Sequence, residues 1–276
     1  MSRPGLGITK LLEGIMKYRC RKRKDCYQLN NFFLPRMREQ RNMVEQFKKV
    51  RDNPVPTAVF VTCVDSRMLP TRFTQTNVGD MFIVRNAGNM VPHSSLVSSQ
   101  STATEPAVLE LACVMNSVKH VVICGHSDCK AVNLLYDIHT DPQQELATPS
   151  FSPLRHWVTV HGRRTMQEFA KLEAAQFRRP LLLNKLNKNA KFPAFVDVDE
   201  KFSVTDKLSM VNTLLQMENV TSYPFMRNNK NGRIHIHCFW FDIYTGEIWC
   251  FSRRDKTFVM INEETVMDLQ VNSNSS

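Results

Sequence analysis

Two short segments carry residue types that do chemistry together: Cys63 to Arg67, with Asp65 between them, and His126 to Cys129. Each follows an apolar run rich in β-branched residues, Thr57 to Thr62 and His120 to Cys124. In α/β sheets, sites form just beyond the carboxyl ends of parallel strands, and both segments stand there. Cys63 and Asp65 share one side if the backbone stays extended, because side chains alternate along a strand. His126 and Cys129 are three apart and share a face once the chain turns helical. Together these residues offer two thiolates, one imidazole and a nearby carboxylate. Zinc favours tetrahedral sulfur and nitrogen ligation, and a catalytic zinc keeps its fourth position open beside three protein ligands. Cys63, His126 and Cys129 are therefore the predicted metal ligands. Cys129 falls near a helix N-terminus, where the dipole favours a thiolate. Arg67 is suited to hold the Asp65 carboxylate by a bidentate pair.

A lone cysteine at a strand end is more often a small core residue. Cys113, Cys124, Cys238 and Cys250 are read that way. His235 and His237 alternate along a strand and so share a side; a structural hydrogen bond in the core is expected there, rather than a metal.

The elements that must position these groups follow from periodicity. Residues 57–63, 81–84 and 120–124 read as strands buried on both faces, with residues 85–89 a loop and Gly125 ending the third strand. Helices are predicted over 104–115, entered through Pro106, and over 128–136. Residues 150–186 read as partly helical, as do 208–215. Residues 234–241 and 248–252 read as an antiparallel pair across a turn at Gly246. Near the start, Ile8, Leu11, Leu12, Ile15 and Met16 recur at helical spacing, and a second helix is predicted over 37–50. The resulting expectation is an α/β fold: a mostly parallel central sheet, an antiparallel edge strand, flanking helices and an N-terminal helical arm. The divisions are an arm over 1–50, an α/β domain over 51–262 and a tail over 263–276, disordered from Asn272 onward.

Composition narrows the class. The chain has 276 residues, 8 cysteines and a net charge of +10. No apolar run reaches the roughly 18 residues of a membrane helix. No signal-peptide pattern follows the start, so an intracellular protein with reduced thiols is expected. The basic excess near Arg19 to Lys24 lacks the aromatic or zinc-finger patterns of nucleic-acid binding, so a solvated basic face is expected instead.

Cys63-Val-Asp-Ser-Arg67, Arg85-Asn-Ala-Gly-Asn89 and Gly125-His-Ser-Asp-Cys129 resemble, in order and spacing, the motifs of β-carbonic anhydrases, and of their animal branch in particular. The resemblance covers about Val50 to Phe251. It implies zinc-dependent hydration of carbon dioxide to bicarbonate and a proton by zinc-bound hydroxide, with one zinc per chain and Asp65 and Arg67 as the catalytic dyad. It also implies a substrate pocket at Phe82, Ala87, Leu111 and the Lys130 N–H, and a homodimer or homotetramer without nucleic-acid or membrane partners. Three positions depart from the plant-type pattern: Pro54 stands for a glutamine, Leu111 for a tyrosine and Lys130 for a glycine. His93 is a weaker candidate for proton transfer. The same site would suit hydrolysis of carbon disulfide or carbonyl sulfide. A noncatalytic zinc adaptor would want a fourth Cys or His ligand, where this chain offers Asp65. The mitochondrial matrix or the cytoplasm is expected, with a lean to the former on the basic, amphipathic N-terminus, although Glu13, Asp25 and Glu39 are unlike a clean transit peptide.

Overall fold

The computed structural model describes residues 8–16, 43–98, 103–141, 151–185, 188–230 and 232–274. Helices α1 (8–16) and α2 (43–50) precede strand β1 (Ala58–Cys63). Then come α3 (Pro70–Thr74), β2 (Met81–Asn86), α4 (Thr104–Glu110), β3 (His120–His126), α5 (Lys130–Thr140) and α6 (Pro153–Ala174). The chain continues through β4 (Leu181–Lys185), β5 (Lys188–Ala194), α7 (Val204–Thr221) and α8 (Pro224–Arg227). It ends with β6 (His235–Asp242), β7 (Glu247–Ser252), β8 (Thr257–Met260) and α9 (Val266–Asn274).

One six-stranded sheet organises the chain in the order β2-β1-β3-β6-β7-β8. β2, β1, β3 and β6 are parallel, and β7 and β8 run antiparallel at one edge. Strands β1 and β3 are buried along their whole length, as central parallel strands covered by helices must be. β1 and β3 are hydrogen-bonded neighbours, so the segments that follow Cys63 and precede Cys129 emerge side by side.

Five details differ from the sequence reading. β2 runs on through Arg85 and Asn86, because both keep pairing with β1. Gly125 does not end β3, which continues to His126. A Cβ at Gly125 would lie 2.1 Å from Thr213 Oγ1, so the glycine lets α7 press on the strand. Residues 181–185 are a strand, not helix, paired antiparallel with β5 in a separate hairpin. The tail is helical through Asn274: Asn262 Oδ1 accepts the N–H groups of Glu264 and Thr265, and Leu269 is buried. The predicted helix over 104–115 is α-helical to Glu110 and then opens into a π-turn over Leu111–Met115. The helix read over 37–50 is present over 43–50; its earlier residues lie outside the described ones. In α1, Ile8, Leu11, Leu12 and Ile15 are fully buried, and Lys10 pairs with Asp80 of the same chain.

Candidate metal centre

Cys63 closes β1, His126 closes β3, and Cys129 is the residue before the first turn of α5. Their Sγ, ring nitrogen and Sγ atoms all lie within 4.8 Å of one another, and the sulfurs are 3.8 Å apart. All three residues are buried. Among the described residues no other three His, Cys, Asp or Glu side chains converge in this way.

The donor set is prepared for a cation. His126 Nδ1 lies 2.8 Å from the carbonyl of Ser127, which can only accept, so Nδ1 carries the proton. The lone pair then sits on Nε2, a buried atom with no hydrogen-bond partner among the described residues. Hydrogen bonding from Cys129 draws the Cys63 thiol pKa down against burial, helped by the N–H groups of Gly88 and Asp65. The same pairing, together with burial, pushes Cys129 up, while the N–H groups of Val132 and Ala131 oppose the rise. Two neighbouring sulfurs resist carrying two negative charges unless a cation lies between them. A thiophilic divalent ion with tetrahedral preference satisfies both sulfurs and the orphaned Nε2.

Asp65 sits just past β1, with its carboxylate doubly engaged by Arg67. Arg67 Nε donates to Oδ1 at 2.9 Å and Nη2 to Oδ2 at 2.7 Å, and the Arg67 backbone N–H also reaches Oδ1 at 2.9 Å. These bonds hold the Asp65 carboxyl well below the usual carboxylate range despite partial burial. The guanidinium is raised in turn, first by Asp65 and then by Asp128. Arg85, at the end of β2, fixes the same stretch by donating to the carbonyls of Cys63 at 3.1 Å and Asp65 at 2.7 Å.

The remaining predicted residues are more dispersed. Ala87 lines a cavity of about 700 Å3 with Arg85, Asn86, Glu105, Val108 and Trp157, and its carbonyl accepts from Trp157 Nε1 at 2.9 Å. Phe82 is partly buried on β2 against the core. Leu111 opens the π-turn and is 41% exposed in this chain, away from that cavity's lining. Lys130 begins α5 and its Nζ lies 2.7 Å from Asp128 Oδ1. His93 Nδ1 is engaged with Ser95, and burial lowers its pKa. His237 is buried and 3.1 Å from His120, a structural imidazole pair as the sequence suggested for this strand.

Several positioning residues had no role in the sequence reading. Asp128 Oδ2 accepts from Arg67 Nη1 at 3.0 Å. Asp206 and Ser209 of α7 hold the Asp128 N–H and the His126 carbonyl, at 2.9 and 2.8 Å. Asn212, Gln216 and Asn219 bond the backbone of Gly88 and Val91. The available sequence signal was the Ser203-x-x-Asp206 capping pattern, which marks the start of α7 but not what Asp206 also reaches.

Known proteins with the same pattern are close enough to compare. Residues 58–248 match the family model described as carbonic anhydrase. The chain is 42% identical over 275 residues to beta carbonic anhydrase 1 of Caenorhabditis elegans, covering 97% of this chain and 93% of that protein. It is 44% identical over 231 residues to the Caenorhabditis briggsae protein of the same name, covering 82% and 84%. In fold it is similar to the β-carbonic anhydrase CcaA, with a TM-score of 0.61 at 23% identity over 82% of this chain and 88% of that one. A tetrameric β-carbonic anhydrase of Sordaria macrospora gives a TM-score of 0.54 at 21% identity over 78% and 89%.

Proposed function

The chain belongs to the β-carbonic anhydrases, of the animal type, and from that premise we propose how its own residues hydrate carbon dioxide reversibly to bicarbonate and a proton. Cys63 Sγ, His126 Nε2 and Cys129 Sγ would hold one zinc. The observation that carries this reading is the convergence of three buried donors within 4.8 Å of one another, with His126 Nε2 left without a hydrogen-bond partner among the described residues. Bound there, zinc supplies the Lewis acidity that brings the pKa of water from about 15.7 to near 7, making it a nucleophile at neutral pH.

Asp65 acts by orienting that water. Its Oδ1 is filled by two Arg67 donors, whereas Oδ2 receives Nη2 alone and keeps an acceptor direction for water. A carboxylate held so far below its usual range is a poor base, so Asp65 accepts a hydrogen bond rather than the proton. Arg67 fixes that carboxylate and keeps it ionised. The apolar substrate is met by Phe82 and Ala87, and the N–H of Lys130 lies at the head of α5 beside Cys129; Leu111, exposed in this chain and outside the lining of Ala87's cavity, is left out of the pocket.

A homodimer or homotetramer is the proposed assembly. Among the described residues the β2 edge pairs on one side only, and Ile83, Leu111 and Met115 are exposed apolar side chains that a second copy would cover. An intracellular location, mitochondrial matrix or cytoplasm, fits the six buried free cysteines among the described residues.

The test is metal content and carbon dioxide hydration for the wild type and Cys63→Ser. The wild type should carry about one zinc per chain, and the variant should lose metal and most of its rate together. Full activity in a zinc-free preparation would end this reading.

A further inference from the structure

Arg67 is held between two carboxylates. Four N–H bonds leave its guanidinium: Nε and Nη2 to Asp65, Nη1 to Asp128 Oδ2 at 3.0 Å, and Nη2 to the Asp128 carbonyl at 3.1 Å. Asp128 lies between the proposed ligands His126 and Cys129 with a left-handed backbone, φ 50°, which Asp tolerates better than most residues. That backbone directs both its carbonyl and its carboxylate toward Arg67. Its N–H is fastened by Asp206 Oδ1 at 2.9 Å, while Asp206 Oδ2 receives the Ser203 hydroxyl that caps α7. The second oxygen of Asp128 accepts Lys130 Nζ at 2.7 Å and Asn133 Nδ2 at 3.2 Å. Charges thus alternate along Asp65, Arg67, Asp128 and Lys130.

We propose that Asp128, braced by Asp206, is a positioning residue that keeps Arg67 on Asp65 and so keeps the Asp65 carboxylate turned away from the metal position. The Arg67 side chain is 39% exposed, so water competes for each of its donors. Asp65 alone would hold it by a pair open to solvent, which is individually weak. A second carboxylate, set on a rigid turn anchored to α7, makes the planar group bridge two fixed points. Rotating it away from Asp65 then breaks the Asp128 bonds as well. The inference rests on the roles given above to Asp65 and Arg67.

Two substitutions separate this from a merely structural role. Asp128→Gly removes the carboxylate at a backbone angle that glycine accepts freely. Asp128→Asn keeps one carbonyl oxygen where two carboxylate oxygens now serve Arg67 on one side and Lys130 and Asn133 on the other. In crystal structures of Asp128→Gly, metal-free and zinc-loaded, Arg67 should have left Asp65. Zinc content should stay at the wild-type level while kcat falls about 10-fold or more with KM little changed, and Asp128→Asn should recover part of kcat. Arg67 still paired with Asp65 in Asp128→Gly overturns the proposal, whatever the rate does. If Asp128→Gly fails to fold, Asp206→Ala relaxes the same turn and is judged by the same Arg67 position. A wild type that neither binds zinc nor hydrates carbon dioxide sinks the functional reading instead, and the metal-free structure still decides the clamp.

Discussion

Gly125 and Asp128 flank His126 with opposite backbone demands. Gly125 is extended and has no room for a Cβ, which would meet Thr213 Oγ1 at 2.1 Å and Trp240 Cδ1 at 3.2 Å. Gly125→Ala must push α7 off β3, and overpacking of this kind costs about 1–3 kcal/mol. We expect a lower denaturation midpoint, partly restored by adding Thr213→Ala, which removes the nearest clashing atom. No recovery in the double variant would show that the strain lies elsewhere. At this scale the convergence of Cys63, His126 and Cys129 was legible, because they sit in short segments whose spacing carries the chemistry. Arg85, Asp206 and Ser209 were not, because each acts on backbone distant in sequence, and spacing says nothing about such contacts.

Helix α7 explains why the site's loop is rigid. It is buried on nearly every face, polar residues included. Asn212, Gln216 and Asn219 recur at helical spacing and stitch residues 88–91 to the helix: Asn212 Nδ2 donates to Gly88 O at 2.9 Å, Gln216 Oε1 accepts from Val91 N at 2.7 Å, and Asn219 Nδ2 donates to Val91 O at 2.9 Å. Gly88 in turn offers its N–H to Cys63. Asn212→Leu leaves the Gly88 carbonyl and Gln216 Nε2 without their partner, and buried orphans cost about 1–3 kcal/mol each. The expected outcome is a lower urea midpoint together with faster zinc loss to a chelator. Loss of stability with unchanged zinc retention would mean the loop does not relay to Cys63. From sequence, a helix is traced by its apolar stripe, so three buried amides read as a solvent face. Residues 181–183 illustrate another ambiguity: a short leucine run suits helix or strand, although Leu181 and Leu183 are buried and Leu182 is exposed, as a strand requires. The long parallel strands were legible because their apolar runs are bounded by turn residues and buried on both sides.

Across the whole molecule, the two ends of the sheet have different chemistry. The carboxyl ends of β1 and β3 hold the candidate metal donors Cys63 and His126, whereas the amino ends of β3 and β6 hold His120, His235 and His237. The rings of His120 and His237 are buried, stacked 5.4 Å apart between centroids and joined by a 3.1 Å contact from Nδ1 to Nε2. Burial, then His235, pushes His120 down to about 4, and burial with His120, His235 and Arg253 pushes His237 well below its usual value. Both rings are therefore neutral in the folded chain at a pH where the unfolded chain, with an ordinary value of 6.5, already binds protons. Stability from this pair is unchanged above that value and falls as the pH drops below it, toward the folded pKa values. Each ring contributes a loss of roughly 1.4 kcal/mol per pH unit in that window. Unfolding by urea at about pH 7.5 and about pH 5.5 should show a smaller acid penalty in His120→Leu/His237→Leu than in the wild type. All other titratable groups are shared by the two proteins and cancel in the difference. An equal acid penalty in the two proteins would mean that this pair does not set the acid sensitivity.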